Sequence, residues 1–144
     1  MKITDPILPS EATLAEFEKF QGSWRQTYCE VGGISHPADE VGSESSCTFI
    51  DNTFVVRRAE GRIVIEGTFV IDPTREPKTV YWTDTFGADA GKTFPAIYAY
   101  EGDQMIFCVG DEAQQPPSAF RTRAGTEEVL RIHQRETAAP LCKV

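Results

Sequence analysis

The chain has 144 residues, 40% of them hydrophobic and 25% charged, the make-up of an ordinary globular protein rather than a disordered one. Its apolar runs are far shorter than the roughly 20 residues a membrane-spanning helix needs. A net charge of −8 and a pI near 4.7 repel phosphate backbones and anionic lipid, so neither nucleic acid nor a membrane is an expected partner.

The N-terminal Met1-Lys2-Ile3-Thr4-Asp5-Pro6 lacks a basic segment followed by an apolar one, which points to a cytoplasmic protein. Residues 10–20 read as a helix. Thr13-Leu14-Ala15-Glu16 has the form of a capping box, and Leu14, Phe17 and Phe20 recur as an apolar stripe. Glu11, Glu16, Glu18 and Lys19 are expected to face elsewhere. So short an amphipathic helix must pack on something, and the open end of the sheet that follows is the obvious partner.

After Gly22 the period changes to two. Strands are expected at about 23–31, 46–50, 53–58, 62–72, 78–86, 92–100, 104–109 and 128–135, rich in the branched and aromatic residues that suit a pleated surface. Turn residues separate them: Gly32-Gly33, Asp51-Asn52, Glu60-Gly61, Asp72-Pro73, the stretch from Gly87 to Gly91, and Gly102-Asp103. Such close spacing gives sequential hairpins with no room for crossover helices. Closure hides the edges of a sheet most completely. The expected fold is therefore all-β: an eight-stranded antiparallel up-and-down barrel over 22–136 with one N-terminal helix. A flexible tail over 137–144 completes one domain. Two polar loops interrupt the pattern, 34–45 with His36-Pro37 and 110–127 with Gln114-Gln115-Pro116-Pro117, and loops at a barrel mouth often shape a site.

Cys29, Cys47, Cys108 and Cys142 show no zinc-finger or CxxC spacing. They read as reduced thiols, with a Cys29–Cys47 bridge as the alternative for an exported protein. Two histidines and scattered carboxylates form no metal-ligand motif, and neither a phosphate-binding glycine loop nor a nucleophile elbow is present. No cofactor is expected.

Gly22-Ser23-Trp24, directly after the helix, resembles the Gly-x-Trp signature that opens lipocalins and related calycin-like barrels. Longer matches keep the same order: Phe20-Gln21-Gly22-Ser23-Trp24, Glu66-Gly67-Thr68-Phe69, Asp72-Pro73 before Pro77-Lys78, Gly91-Lys92-Thr93 before Ile97-Tyr98, Gly102-Asp103, Cys108 and Arg135-Glu136. Over residues 17–136 these are similar to an uncharacterised lipocalin-like domain family abundant in planctomycetes. The resemblance implies a fold and supplies no activity. The last strand departs from the family's plain apolar run, because Arg131 and His133 stand at positions usually apolar; Gln26, Trp82 and Asp84 add further polarity.

Alternation puts Val80, Trp82 and Asp84 on one side of their strand, Phe94, Ala96, Tyr98 and Tyr100 on one side of the next, and Met105, Phe107 and Val109 on one side of the one after. An aromatic lumen with a few polar tips suits a small-molecule pocket, although the same rings could fill the barrel as core. Tyr28, Trp82, Tyr100, Phe107 and Arg131 are the candidate ligand contacts. Arg131 and His133 share a side opposite Leu130 and Ile132. Facing the lumen, His133 could act as a general base; yet a barrel needs its apolar side inward, which would leave Arg131 and His133 in solvent. His133, Asp84 and Tyr98 form a candidate acid–base set that no spacing rule supports, Asp84 serving equally well to begin a turn.

Three readings follow. The first is a module, monomeric or homodimeric, that binds a small apolar or aromatic molecule in the lumen. The second is a cofactor-free isomerase, cyclase or lyase with His133 or Asp84 as acid or base, and the third is a structural protein with a packed lumen. Binding alone predicts a cavity lined by Trp82, Tyr98 and Phe107 without a buried titratable group; catalysis predicts such a group inside it with a shifted pKa.

Overall fold

The computed structural model describes residues 11–35, 45–110 and 115–136. One helix, α1 (Glu11–Phe20), precedes nine strands: β1 (Gly22–Val31), β2 (Ile34–Ser35), β3 (Ser46–Ile50), β4 (Thr53–Arg57), β5 (Ile63–Asp72), β6 (Thr79–Phe86), β7 (Thr93–Glu101), β8 (Gln104–Val109) and β9 (Val129–Arg135). Every strand from β3 onward pairs antiparallel with its successor, and β1 pairs with both β3 and β9. The result is a closed eight-stranded up-and-down barrel. The two-residue β2 returns on Glu30 and Val31 beside the barrel. It lies in a stretch expected to be loop, because two residues are too few for alternation to register.

Helix α1 closes one end. Phe20 is fully buried and meets the rings of Phe49, Phe69, Tyr98 and Tyr100 at centroid distances of 5.0–6.0 Å. Leu14, expected on the same stripe, is 47% exposed, while Glu16 is buried. The cause is helical pitch: steps of three fall short of a 3.6-residue turn, so Leu14 and Phe20 lie about 120° apart, whereas Glu16 and Phe20, four apart, share a face. Thr13 sits within the helix rather than ahead of it, and the Glu16 carboxylate is turned to the barrel instead of to a capping box.

The Gly22-Ser23-Trp24 segment joins helix to barrel. Gly22 takes φ +107°, which favours glycine. Trp24 is buried and its Nε1 donates to the Phe20 carbonyl at 2.8 Å. Arg135, from the last strand, lies 4.2 Å over the Trp24 ring and donates from Nη2 to Lys19 O (2.6 Å) and from Nη1 to Gln21 O (3.0 Å). A cation on these terminal carbonyls satisfies the acceptors a helix end leaves over. Barrel closure and helix docking thus share residues.

The 119–128 segment folds back over the outside of β8. Cys108 Sγ donates to Arg121 O at 3.2 Å, the Arg123 guanidinium holds Glu128 at 2.8 Å, and Thr122 Oγ1 hydrogen-bonds the Glu30 carboxylate. This covers outward-facing Cys108 and Ile97, both almost completely buried. Cys29, Cys47 and Cys108 are buried thiols, with no Cys29–Cys47 bridge. His36, Cys142 and the expected tail lie outside the described residues.

Candidate functional site

Behind the Phe20 cluster the barrel is hollow. A cavity of about 540 Å³ runs from a floor of Phe49, Trp82, Phe107 and His133 to a mouth near Val31, Val109, Gly110 and Val129. Its walls are mainly apolar. Trp82 is the central ring, with Phe107 at 5.1 Å, Phe54 at 5.2 Å and Phe49 at 5.8 Å. Gly67, across from Asp84, makes room for this: a Cβ there would stand 2.2 Å from Thr83 O and 2.7 Å from the Phe54 ring. Only a bare backbone lets Phe54 lie flat on β5 and face the cavity.

Arg131 and His133 both line the cavity. That decides between the two orientations left open above, and against the one that puts the apolar pair inward. Leu130 pairs with outward-facing Cys108, under the folded-back segment, and Ile132 pairs with Tyr28, so the outer face of β9 is itself half-buried. Arg131 donates from Nη1 to Gln26 Oε1 at 2.6 Å and to Cys29 Sγ at 3.3 Å. The two acceptors hold the guanidinium from the β1 side.

His133 is buried against the edge of the Phe107 ring, centroids 5.6 Å apart. Among the described residues its Nδ1 has no hydrogen-bond partner. Burial, with the Arg131 charge adding to it, pushes its pKa from the ordinary 6.5 down to about 3. The imidazole is neutral at physiological pH. Cys47, in the same wall, is driven up to about 12 by burial despite Arg131, so it is a thiol and not a nucleophile.

Asp84, Trp82 and Phe107 also line the cavity. Three expected residues do not. Tyr28 points outward, its hydroxyl bonded to Glu30 Oε1 and Ser35 Oγ at 2.8 Å each. Strict alternation from Trp24 and Gln26 would turn it inward, but the register shifts between Gln26 and Tyr28, and this bulge brings Cys29 and Val31 inside instead. Tyr98 and Tyr100 face the barrel interior at the wrong height: Tyr98 donates to Glu16 Oε1 (3.0 Å) and Tyr100 to Glu16 O (3.3 Å), both beneath the helix. Burial, then the bond to Glu16, raises the Tyr98 pKa. Burial also opposes ionisation of Glu16, but Lys78 and Tyr98 outweigh it and keep its pKa below the ordinary value. Tyr98 therefore belongs to the helix anchor, and the His133–Asp84–Tyr98 set is not assembled.

Several lining residues were not singled out from the sequence. Cys47 with Phe49 and Phe54 with Val56 share inward faces that alternation on β3 and β4 could have supplied. Asp89 and Lys92, an ion pair at 3.3 Å in the β6–β7 turn, and exposed Glu127 carry no such signal, because turn residues lack a period. Among the described residues no cluster of histidine, cysteine or carboxylate could hold a metal ion, and no helix is long and apolar enough to cross a membrane. No protein-family model matches the chain, and a comparison with curated proteins finds no match either.

Proposed function

We propose that this protein binds a small, largely apolar or aromatic molecule inside the barrel, as a lipocalin-like carrier in the cytoplasm. One observation carries the reading: a cavity of about 540 Å³, walled by Phe49, Phe54, Trp82 and Phe107, inside a barrel that a helix plugs at one end. That volume lies within the range of small-molecule sites, and aromatic walls with few polar groups are their usual make-up. A packed, purely structural lumen does not fit it. Retention of buried thiols supports a reducing compartment.

Catalysis by a cofactor-free isomerase, cyclase or lyase is the second reading, favoured by a titratable imidazole inside the cavity. A base that protonates only near pH 3 is, however, poorly matched to proton transfer at neutral pH. Binding is the better supported of the two.

The test is fluorescence titration with N-phenyl-1-naphthylamine, a neutral apolar probe. Wild-type protein should bind it stoichiometrically with a blue-shifted emission. Val56→Trp, which fills the cavity from β4, should remove the signal while leaving far-UV circular dichroism unchanged. No binding by the wild type, or equal binding by the filled variant, would refute the lumen as a binding site.

A further inference from the structure

We infer that the ligand is an uncharged alcohol or phenol, and that its hydroxyl is recognised by the His133 imidazole while its apolar body lies against Trp82 and Phe107. This rests on the lumen being a binding site, and it adds the chemical class of what enters. His133 is 7% exposed, lines the cavity, and has no hydrogen-bond partner for its Nδ1 among the described residues. Buried polar atoms are almost always bonded, so an imidazole left short in the wall of a cavity marks a place for a ligand's polar group. Its strand neighbours cannot supply the bond. Met105 on β8 is apolar, and Gln26 on β1 already gives its Oε1 to Arg131.

The chemistry of the ring selects the group. Burial, the larger cause, keeps the imidazole neutral. A neutral imidazole has one N–H donor and one acceptor nitrogen. A hydroxyl can both donate and accept, so it serves the ring in either tautomer. An ion would gain no compensating charge from this ring and would lose its hydration, whereas an alcohol gives up only hydrogen bonds that the ring can replace. The surroundings suit the rest of such a molecule. The Phe107 ring meets the imidazole at 5.6 Å and Trp82 at 5.1 Å, so one continuous aromatic surface leads away from the polar contact.

Equilibrium dialysis with 2-naphthol, 2-methylnaphthalene and 2-naphthoate tests the assignment. The first two differ by a hydroxyl against a methyl of similar size, and the third replaces the hydroxyl by a carboxylate. Wild-type protein should bind 2-naphthol at least five-fold more tightly than either of the others. His133→Phe should abolish the preference over 2-methylnaphthalene, and His133→Gln, which keeps a neutral donor and acceptor, should retain part of it. Wild-type binding of 2-naphthol no tighter than that of 2-methylnaphthalene or 2-naphthoate overturns the inference, and this comparison needs no variant to fold. An undiminished preference in His133→Phe overturns it as well. N-phenyl-1-naphthylamine separates the two levels of failure. If it binds but the 2-naphthol preference is absent, the hydroxyl assignment falls and the binding lumen survives. If none of the four compounds binds, both fall.

Discussion

Acidification offers the sharpest test of the buried imidazole. An unfolded chain protonates His133 near its ordinary value of 6.5, whereas the folded barrel refuses the proton until about pH 3. Between those values the unfolded state holds more protons, so stability is complete above 6.5 and declines as the pH falls. The slope reaches about 1.4 kcal/mol per pH unit, and integration from pH 7 to pH 5 gives a loss of roughly 2 kcal/mol from this one group. In urea, with a dependence near 2 kcal/mol per molar, the midpoint should drop by about 1 M. The measurement is equilibrium unfolding at pH 7, 6 and 5, followed by tryptophan fluorescence, for the wild type and His133→Leu. Taking the difference between the two proteins cancels the carboxylates and His36. The variant should lose far less stability over this interval. Parallel losses in both proteins would refute the reasoning, because they would mean that the imidazole takes up its proton in the folded state as readily as in the unfolded one.

Tyr98→Phe removes the hydroxyl that anchors Glu16 but leaves Lys78 in place, and should cost about 1–2 kcal/mol in urea unfolding. Gly67→Ala drives a methyl group into Thr83 O and the Phe54 ring, so it should destabilise by about 3 kcal/mol or more and lower the yield of folded protein, as thermal unfolding would reveal. Cys29, Cys47 and Cys108 should react with an aromatic disulfide reagent at pH 8 no faster than the protein opens, with peptide mapping identifying each site; burial keeps Cys47 protonated until about pH 12.

The barrel was legible because period-two runs and turn residues are local signals, and eight strands in so short a chain leave few ways to hide their edges. What local signals lack is height and parity. Alternation showed that Tyr98 and Trp82 point inward, but not that one lies under the helix and the other in the cavity. It failed at Tyr28, where one extra residue on β1 reverses the sense of everything after it. The apolar pair Leu130 and Ile132 misled for a different reason: the 119–128 segment and Tyr28 cover the outside of the barrel there, so hydrophobicity on β9 marks a second, external layer. Arg131 and His133 are the opposite case, polar residues on β9 that line the cavity.

The bulge at Thr27 has a consequence for how such a lumen can be changed. Upstream of it, β1 fixes the plugged end through Trp24; downstream, it supplies Cys29, which holds Arg131, and Val31 at the rim. Removing that one residue would exchange the inner and outer faces of the second half alone, setting a phenol where a thiol now stands beside the guanidinium and leaving the plugged end as it was. The wall that β1 makes beside β9 is thus governed by chain length as much as by residue identity, and an insertion could alter the lining of the cavity without any substitution inside it.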